Sequence, residues 1–184
     1  PQSSDNSTNS AEDTSAKDSA ETDNNNTEVA AVKMPNAASK DPLIDYQLKL
    51  KNIYEAVLEK AKENPGIILV IAKGQNAAQM QAILADETIE KPNVLILLSA
   101  FMPEYAQSEI FAKSLSESSI STLDLYLSND HPLVEDSAKL RKQLAEQEMK
   151  PLYRQRQLNN VYSGQYPSQV LLRQINGWLS SIGW

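Results

Sequence analysis

The stretch Gly66–Gln79, GIILVIAKGQNAAQ, decides how this chain is read. Gly66 opens an apolar run, Ile67–Ala72, with no alternation of apolar and polar residues. A strand that is apolar on both sides is buried on both faces, as in a parallel sheet covered by helices. The turn Lys73-Gly74-Gln75-Asn76 follows, and Ala77-Ala78-Gln79-Met80 begins a helix. In parallel α/β sheets, ligands and reacting groups gather at the turns beyond the carboxyl ends of the strands. The turn at Gly74 is therefore the first place to look for function.

The same alternation continues outward from this stretch. Before it, Asp41-Pro42 is expected to open a helix, with Asp41 as the N-cap and Pro42 in the first turn. Tyr46, Leu50, Ile53, Tyr54, Val57, Leu58 and Ala61 recur at spacings of three and four and form one apolar face. Asn64-Pro65-Gly66 ends that helix. After the turn, a helix is expected to run to Leu84 or Ala85, and Val94–Leu98, VLILL, reads as a second buried strand. A helix around Gln107–Leu115 precedes a third strand, Ser121–Leu127. The charged stretch Val134–Met149 reads as a helix stopped by Pro151. Leu152–Leu158, LYRQRQL, alternates and is more polar, as an edge strand would be. Asn159–Pro167 is a loop, and Ser168–Ile182 is the last helix. Strict alternation of helix and strand predicts an α/β fold, a mostly parallel sheet with helices on both faces in three layers.

Residues 1–41 are expected to be a disordered acidic linker or tail, leaving residues 42–184 as the folded domain. The first 41 residues hold no aromatic residue, Leu or Ile, so they cannot bury enough apolar surface to offset their ordering entropy. They carry eight acidic and three basic residues, which accounts for most of the formal net charge of −7. The sequons Asn6-Ser7-Thr8 and Asn25-Asn26-Thr27 are weak matches of the kind that arise by chance in such a tract. Arg154 and Arg156 are the nearest approach to a basic patch, so a nucleic-acid partner is not expected. No apolar run is long enough to span a membrane. The chain opens on Pro1 and not on Met, so it is expected to be a processed product or a piece of a longer chain.

Four features together resemble the carboxyl-terminal half of the α/β-hydrolase superfamily. LVIAKGQNAA sits like a nucleophile elbow. VLILLSAFMP is the next strand and its loop. LDLYLSNDHPLV is a strand leading to Asp130, followed by a proline and an apolar residue. INGWL, Ile175–Leu179, lies in the closing helix. The wording around the elbow, the RQRQL strand and the GWL helix is most similar to a family of uncharacterised bacterial proteins of this type. The resemblance covers about residues 43–184 and rests on the order of weak motifs. It implies a bacterial source, leaves periplasm and cytoplasm both open, and implies Asp130 as the candidate acid of a catalytic triad.

The departures govern the functional expectation. A nucleophile elbow is G-x-S-x-G, and here the matching residues are Ala72-Lys73-Gly74-Gln75-Asn76. Gly74 stands where the nucleophile would be and has no side chain to attack with. The family's base is a His in the loop before the last helix, and Asn159–Tyr166 contains none. The single His of the chain, His131, adjoins the acid and is a poor substitute for a base lying between nucleophile and acid. Lys73, beside a helix N-terminus, is a candidate nucleophile or anion-binding charge, weighed against an ordinary solvated lysine. Glu135 and Asp136 are explained by the start of a helix. With one His and no Cys, no metal site is expected, and no cofactor is implied.

The expectation is thus a hydrolase-like domain without the Ser–His–Asp triad that binds or scaffolds. The alternatives are a hydrolase acting on an ester-type substrate through atypical residues such as Lys73, Asp130 or Ser99, and a flavodoxin-like or Rossmann-like binding module. The turn carries neither Gly-rich phosphate fingerprint, which weighs against the latter. The superfamily sheet has further strands ahead of these four. The edge of strand 67–72 is therefore expected either to pair with a complementary amino-terminal segment or to self-associate.

Overall fold

The computed structural model describes residues 42–159 and 165–184. The expected linker 1–41, its sequons, the Asp41 cap and residues 160–164 of the last loop lie outside the described residues. The order of elements is α1 (Pro42–Ala61), β1 (Leu69–Lys73), α2 (Gln75–Leu84), β2 (Val94–Leu98), α3 (Tyr105–Glu117), β3 (Ser121–Leu127), α4 (Pro132–Gln147), β4 (Tyr153–Leu158) and α5 (Ser168–Ser181). The four strands form one parallel sheet in the order β1-β2-β3-β4. This is the α/β fold read from the alternation of elements. β2 and β3 begin and end where their sequence pattern predicts. β1 starts two residues later than the apolar run suggests. Ile68 instead serves the loop from Asn93, accepting from the Asn93 and Val94 amides and donating its own to Asn93 Oδ1.

The register sorts the side chains into two layers. Leu95 and Leu97 of β2 stand opposite Thr122 and Asp124 of β3, which stand opposite Tyr153 and Gln155 of β4. This row faces α1, α2 and α3, where Tyr54, Leu58, Ile83, Leu84, Phe111 and Leu115 bury themselves. Val94, Ile96, Leu98, Leu123, Leu125 and Leu127 point the other way, under Ile175 and Trp178 of α5. A sheet that adds parallel strands in one direction through crossovers of one hand puts the connecting helices on one face. Among the described residues only α5, which follows the last strand, covers the other.

That asymmetry corrects two expectations. β1 is not buried on both faces, because α5 lies over the neighbouring strands and leaves Ile71 51% exposed. Nor is the apolar face of α1 wholly inward. Tyr54 and Leu58 are buried, whereas Ile53 and Val57 are each 61% exposed. The groove between α1 and β1 is lined by Val57, Leu58, Ala61 and Ile67–Val70. Among the described residues β1 pairs on one side only. Among the described residues no helix is long and apolar enough to cross a membrane.

Candidate functional site

The ends of the strands align the loops that follow them. Gly74 N–H donates to the Leu98 carbonyl at 2.8 Å, Ser99 N–H to Leu125 at 2.8 Å and Ser128 N–H to Leu158 at 2.9 Å. Each strand thus hands its last ladder bond to the next, and the three turns stand side by side at the carboxyl edge of the sheet.

At the first turn Gly74 takes φ 63°, ψ −136° as the N-cap residue of α2. That backbone is close to the region populated almost only by glycine. A Cβ built on Gly74 would meet only the Phe101 ring, at 3.9 Å, so space for a side chain exists. Gln75 and Asn76 are exposed, and Asn76 Oδ1 accepts from the Tyr46 hydroxyl at 2.8 Å. The Lys73 ammonium lies over the Tyr166 ring, 5.8 Å from its centroid, a cation–π distance.

The second turn holds Ser99, one of three non-glycine residues with positive φ among the described residues, at 48°. Its Oγ is 2.6 Å from Asp130 Oδ2 and 2.6 Å from the Tyr166 hydroxyl. Asp130 Oδ2 also accepts from Leu127 N–H at 2.7 Å, so the carboxylate closes its own turn while holding Ser99. The Tyr166 hydroxyl reaches the Leu125 carbonyl at 3.0 Å. Burial, with the negative charge of Asp130 adding to it, pushes the phenol well above its ordinary range and keeps it protonated. Tyr166 belongs to the loop before the last helix, where the resemblance called for a His, and its hydroxyl meets Ser99.

His131 goes elsewhere. It is the N-cap of α4, its Nδ1 accepting from Leu133 N–H at 3.2 Å, with Pro132 in the first turn. Its ring stacks on Phe101 with centroids 6.4 Å apart. Phe101 therefore stacks on His131 and borders the space that a side chain at position 74 would enter. The candidates Lys73, Gly74, Asp130 and His131 share one edge of the sheet, but Asp130 is bonded to Ser99 and the imidazole is engaged in capping.

Beneath this cluster lies a charge network that the sequence reading did not assemble. Arg141 of α4 and Asp124 of β3 are both fully buried and pair bidentately at 2.8 and 3.0 Å. Tyr153 and Gln155 also donate to Asp124, at 2.9 Å each. Arg141 Nη1 donates to Ser137 Oγ at 2.7 Å and to the Ala100 carbonyl at 2.8 Å. Burial alone would favour the neutral guanidine, but the Asp124 carboxylate outweighs it and holds Arg141 charged. The signal was legible, because a lone Asp inside an apolar strand and an Arg on an inward helix face must find partners. Among the described residues no three His, Cys, Asp or Glu side chains cluster as a metal site.

The family model described as "Protein of unknown function (DUF3530)" matches residues 1–181, and the chain belongs to that family. No curated protein matches the chain.

Proposed function

We propose that this member of the DUF3530 family carries an α/β-hydrolase-like layer that has lost its acyl-transfer machinery, and that it works by binding. Residues 42–184 carry that role. The observation that supports the reading is Gly74 itself. It occupies a sharp strand-to-helix turn in a backbone conformation suited to an elbow, with room for a side chain and none present. The rest of the constellation is committed in the same direction. Asp130 holds a serine and a backbone amide, Tyr166 stands in the loop where the base would come from, and His131 caps a helix.

A second reading is favoured by Ser99. A strained residue at the carboxyl end of a strand, with its hydroxyl on a carboxylate, has the form of an activated nucleophile. In that reading Asp130 takes the Ser99 proton as Oγ attacks an ester carbonyl, and returns it to the alcohol oxygen as the ester C–O bond breaks and an acyl-Ser99 forms. A carboxylate is a weaker base than the imidazole of a triad, and Ser99 is only 5% exposed, so binding is the better-supported function.

The test is labelling of the parent, Gly74→Ser and Ser99→Ala proteins with a fluorophosphonate, with turnover of short p-nitrophenyl esters alongside. A silent parent with a labelled Gly74→Ser variant is the expected result. Labelling of the parent that disappears in Ser99→Ala would establish the second reading. Parent labelling that survives Ser99→Ala would overturn both.

A further inference from the structure

An apolar recess on the helical layer has no part in the strand-end cluster. It is a groove of about 400 Å³ between α1, α2 and α3, within the roughly 300–1,000 Å³ typical of small-molecule sites. Its floor is cut by α2, where Ala78, Ala82 and Ala85 follow one another at spacings of four and three. Methyl side chains on that face leave the space between α1 and α3 unfilled. Ile110 forms part of the opposite wall. None of the residues lining the groove is charged, so an ion entering it would lose its hydration without gaining a counter-charge.

Four polar side chains, Gln47, Gln79, Gln107 and Ser114, interrupt this lining, and of these Gln79 alone is buried. Gln79 is only 4% exposed, and its Oε1 accepts from Gln47 Nε2 at 2.6 Å. Its own Nε2 meets the thioether sulfur of Met102 at 3.6 Å. An amide nitrogen offers two N–H groups and sulfur is a weak acceptor, so a buried donor lines the cavity with little of its bonding capacity used. A buried amide in that condition is best satisfied by an oxygen brought in from outside. We propose that the groove binds a neutral, elongated aliphatic molecule carrying a single carbonyl or ether oxygen, with that oxygen accepting from Gln79 Nε2. The chain of the ligand lies along the alanine floor, and the absence of lining charge excludes its ionised relatives. The inference stands independently of whether Gly74 is a lost nucleophile.

The test uses the full 184-residue chain and three probes of similar length: 2-undecanone, undecane and undecanoate. Binding is followed by the NMR shifts of the Gln79 and Gln47 side-chain amides. The ketone is expected to saturate those shifts. Undecane and undecanoate should each bind more weakly, the alkane by roughly five- to tenfold for the missing hydrogen bond. Ala82→Phe fills the floor from an exposed position on α2 and should abolish binding while circular dichroism stays unchanged. Gln79→Leu keeps the apolar volume, removes the donor and should bring ketone affinity down to that of the alkane. Equal binding of ketone and alkane would overturn the proposal, as would binding that survives Ala82→Phe. Gln79 and Gln47 amide shifts that depend on protein concentration without ligand, and still do so in Ile71→Lys, would also overturn it, by showing a second copy of the chain in the groove.

Discussion

Arg141 Nη1 donates to the carbonyl of Ala100 at 2.8 Å, which ties a fully buried ion pair to the loop that carries Ser99 and Phe101. The guanidinium satisfies Asp124 with one edge and the loop with the other. The polar layer between β3 and α4 therefore orders the strand-end cluster from below. The Phe111 ring, 5.2 Å from the guanidinium carbon, closes the layer against α3.

The ion pair should behave as one unit. Asp124→Leu strands a buried guanidinium and is expected to cost about 3–5 kcal/mol in urea unfolding. The double variant Asp124→Leu/Arg141→Met should recover most of that and fall within about 2 kcal/mol of the parent. A double variant as unstable as the sum of the two singles would refute the coupling.

Two glycines should answer Gly→Ala in opposite directions. At Gly74 the added methyl has room, but φ 63° penalises any side chain, so about 1–3 kcal/mol of destabilisation is expected. Gly177 lies in α5 with nothing within 4 Å of a Cβ, and there Ala should stabilise by about 0.5–1 kcal/mol. Equal effects at both positions in thermal melts would rule out backbone strain at Gly74.

Lys150 should leave a mark on the pH dependence of stability. Burial depresses its ammonium from 10.5 to about 8. Between those values the unfolded chain binds the proton that the folded chain has released, so stability rises with pH through that window. Tyr54, raised by burial from 10.0 to about 12, acts in the opposite sense, and its contribution is lost as pH climbs through the latter value. The expected profile climbs from pH 8 to about 10 and then flattens or turns down. Lys150→Met should remove the climb, and a parent profile flat across that range would contradict the assignment.

The open edge of β1 should make the chain associate. Among the described residues β1 lacks a second neighbour, and Ile71, Ile53 and Val57 present apolar surface beside it. Sedimentation of the parent is expected to depend on concentration. Ile71→Lys and Val57→Lys should each suppress that dependence while changing stability by no more than about 0.5 kcal/mol. A parent that stays monomeric at high concentration would show that the edge is protected.

Single substitutions at the strand-end cluster should separate bracing from chemistry. Tyr166→Phe removes the hydroxyl shared by Ser99 and the Leu125 carbonyl, and about 1 kcal/mol of stability should go with it. A loss near zero in chemical denaturation would mean that the loop is held by the ring and by the Lys73 contact rather than by its hydroxyl.

The sequence by itself determined the class and order of the fold. The run Val94–Leu98 is a local signal, because an unbroken apolar pentapeptide between turn residues has few other ways to bury itself, and Ser121–Leu127 carries its Leu residues at alternate positions. Gly74 at the turn was legible for the same reason, since the strand end and helix start on either side of it are local features. Only the tertiary structure decided what the polar residues do. Ser99, Asp130 and Tyr166 are separated by 31 and 36 positions, and nothing in their spacing says that three loops will bring their oxygens together. Asp124 sits inside β3 and Arg141 on α4, and the parallel register and the face taken by α4 made them partners. The bare face at Ile71 belongs to the same class of fact. Whether an apolar strand is covered on one side or two depends on which helices cross over it, and crossover is a property of the assembled sheet and not of the strand.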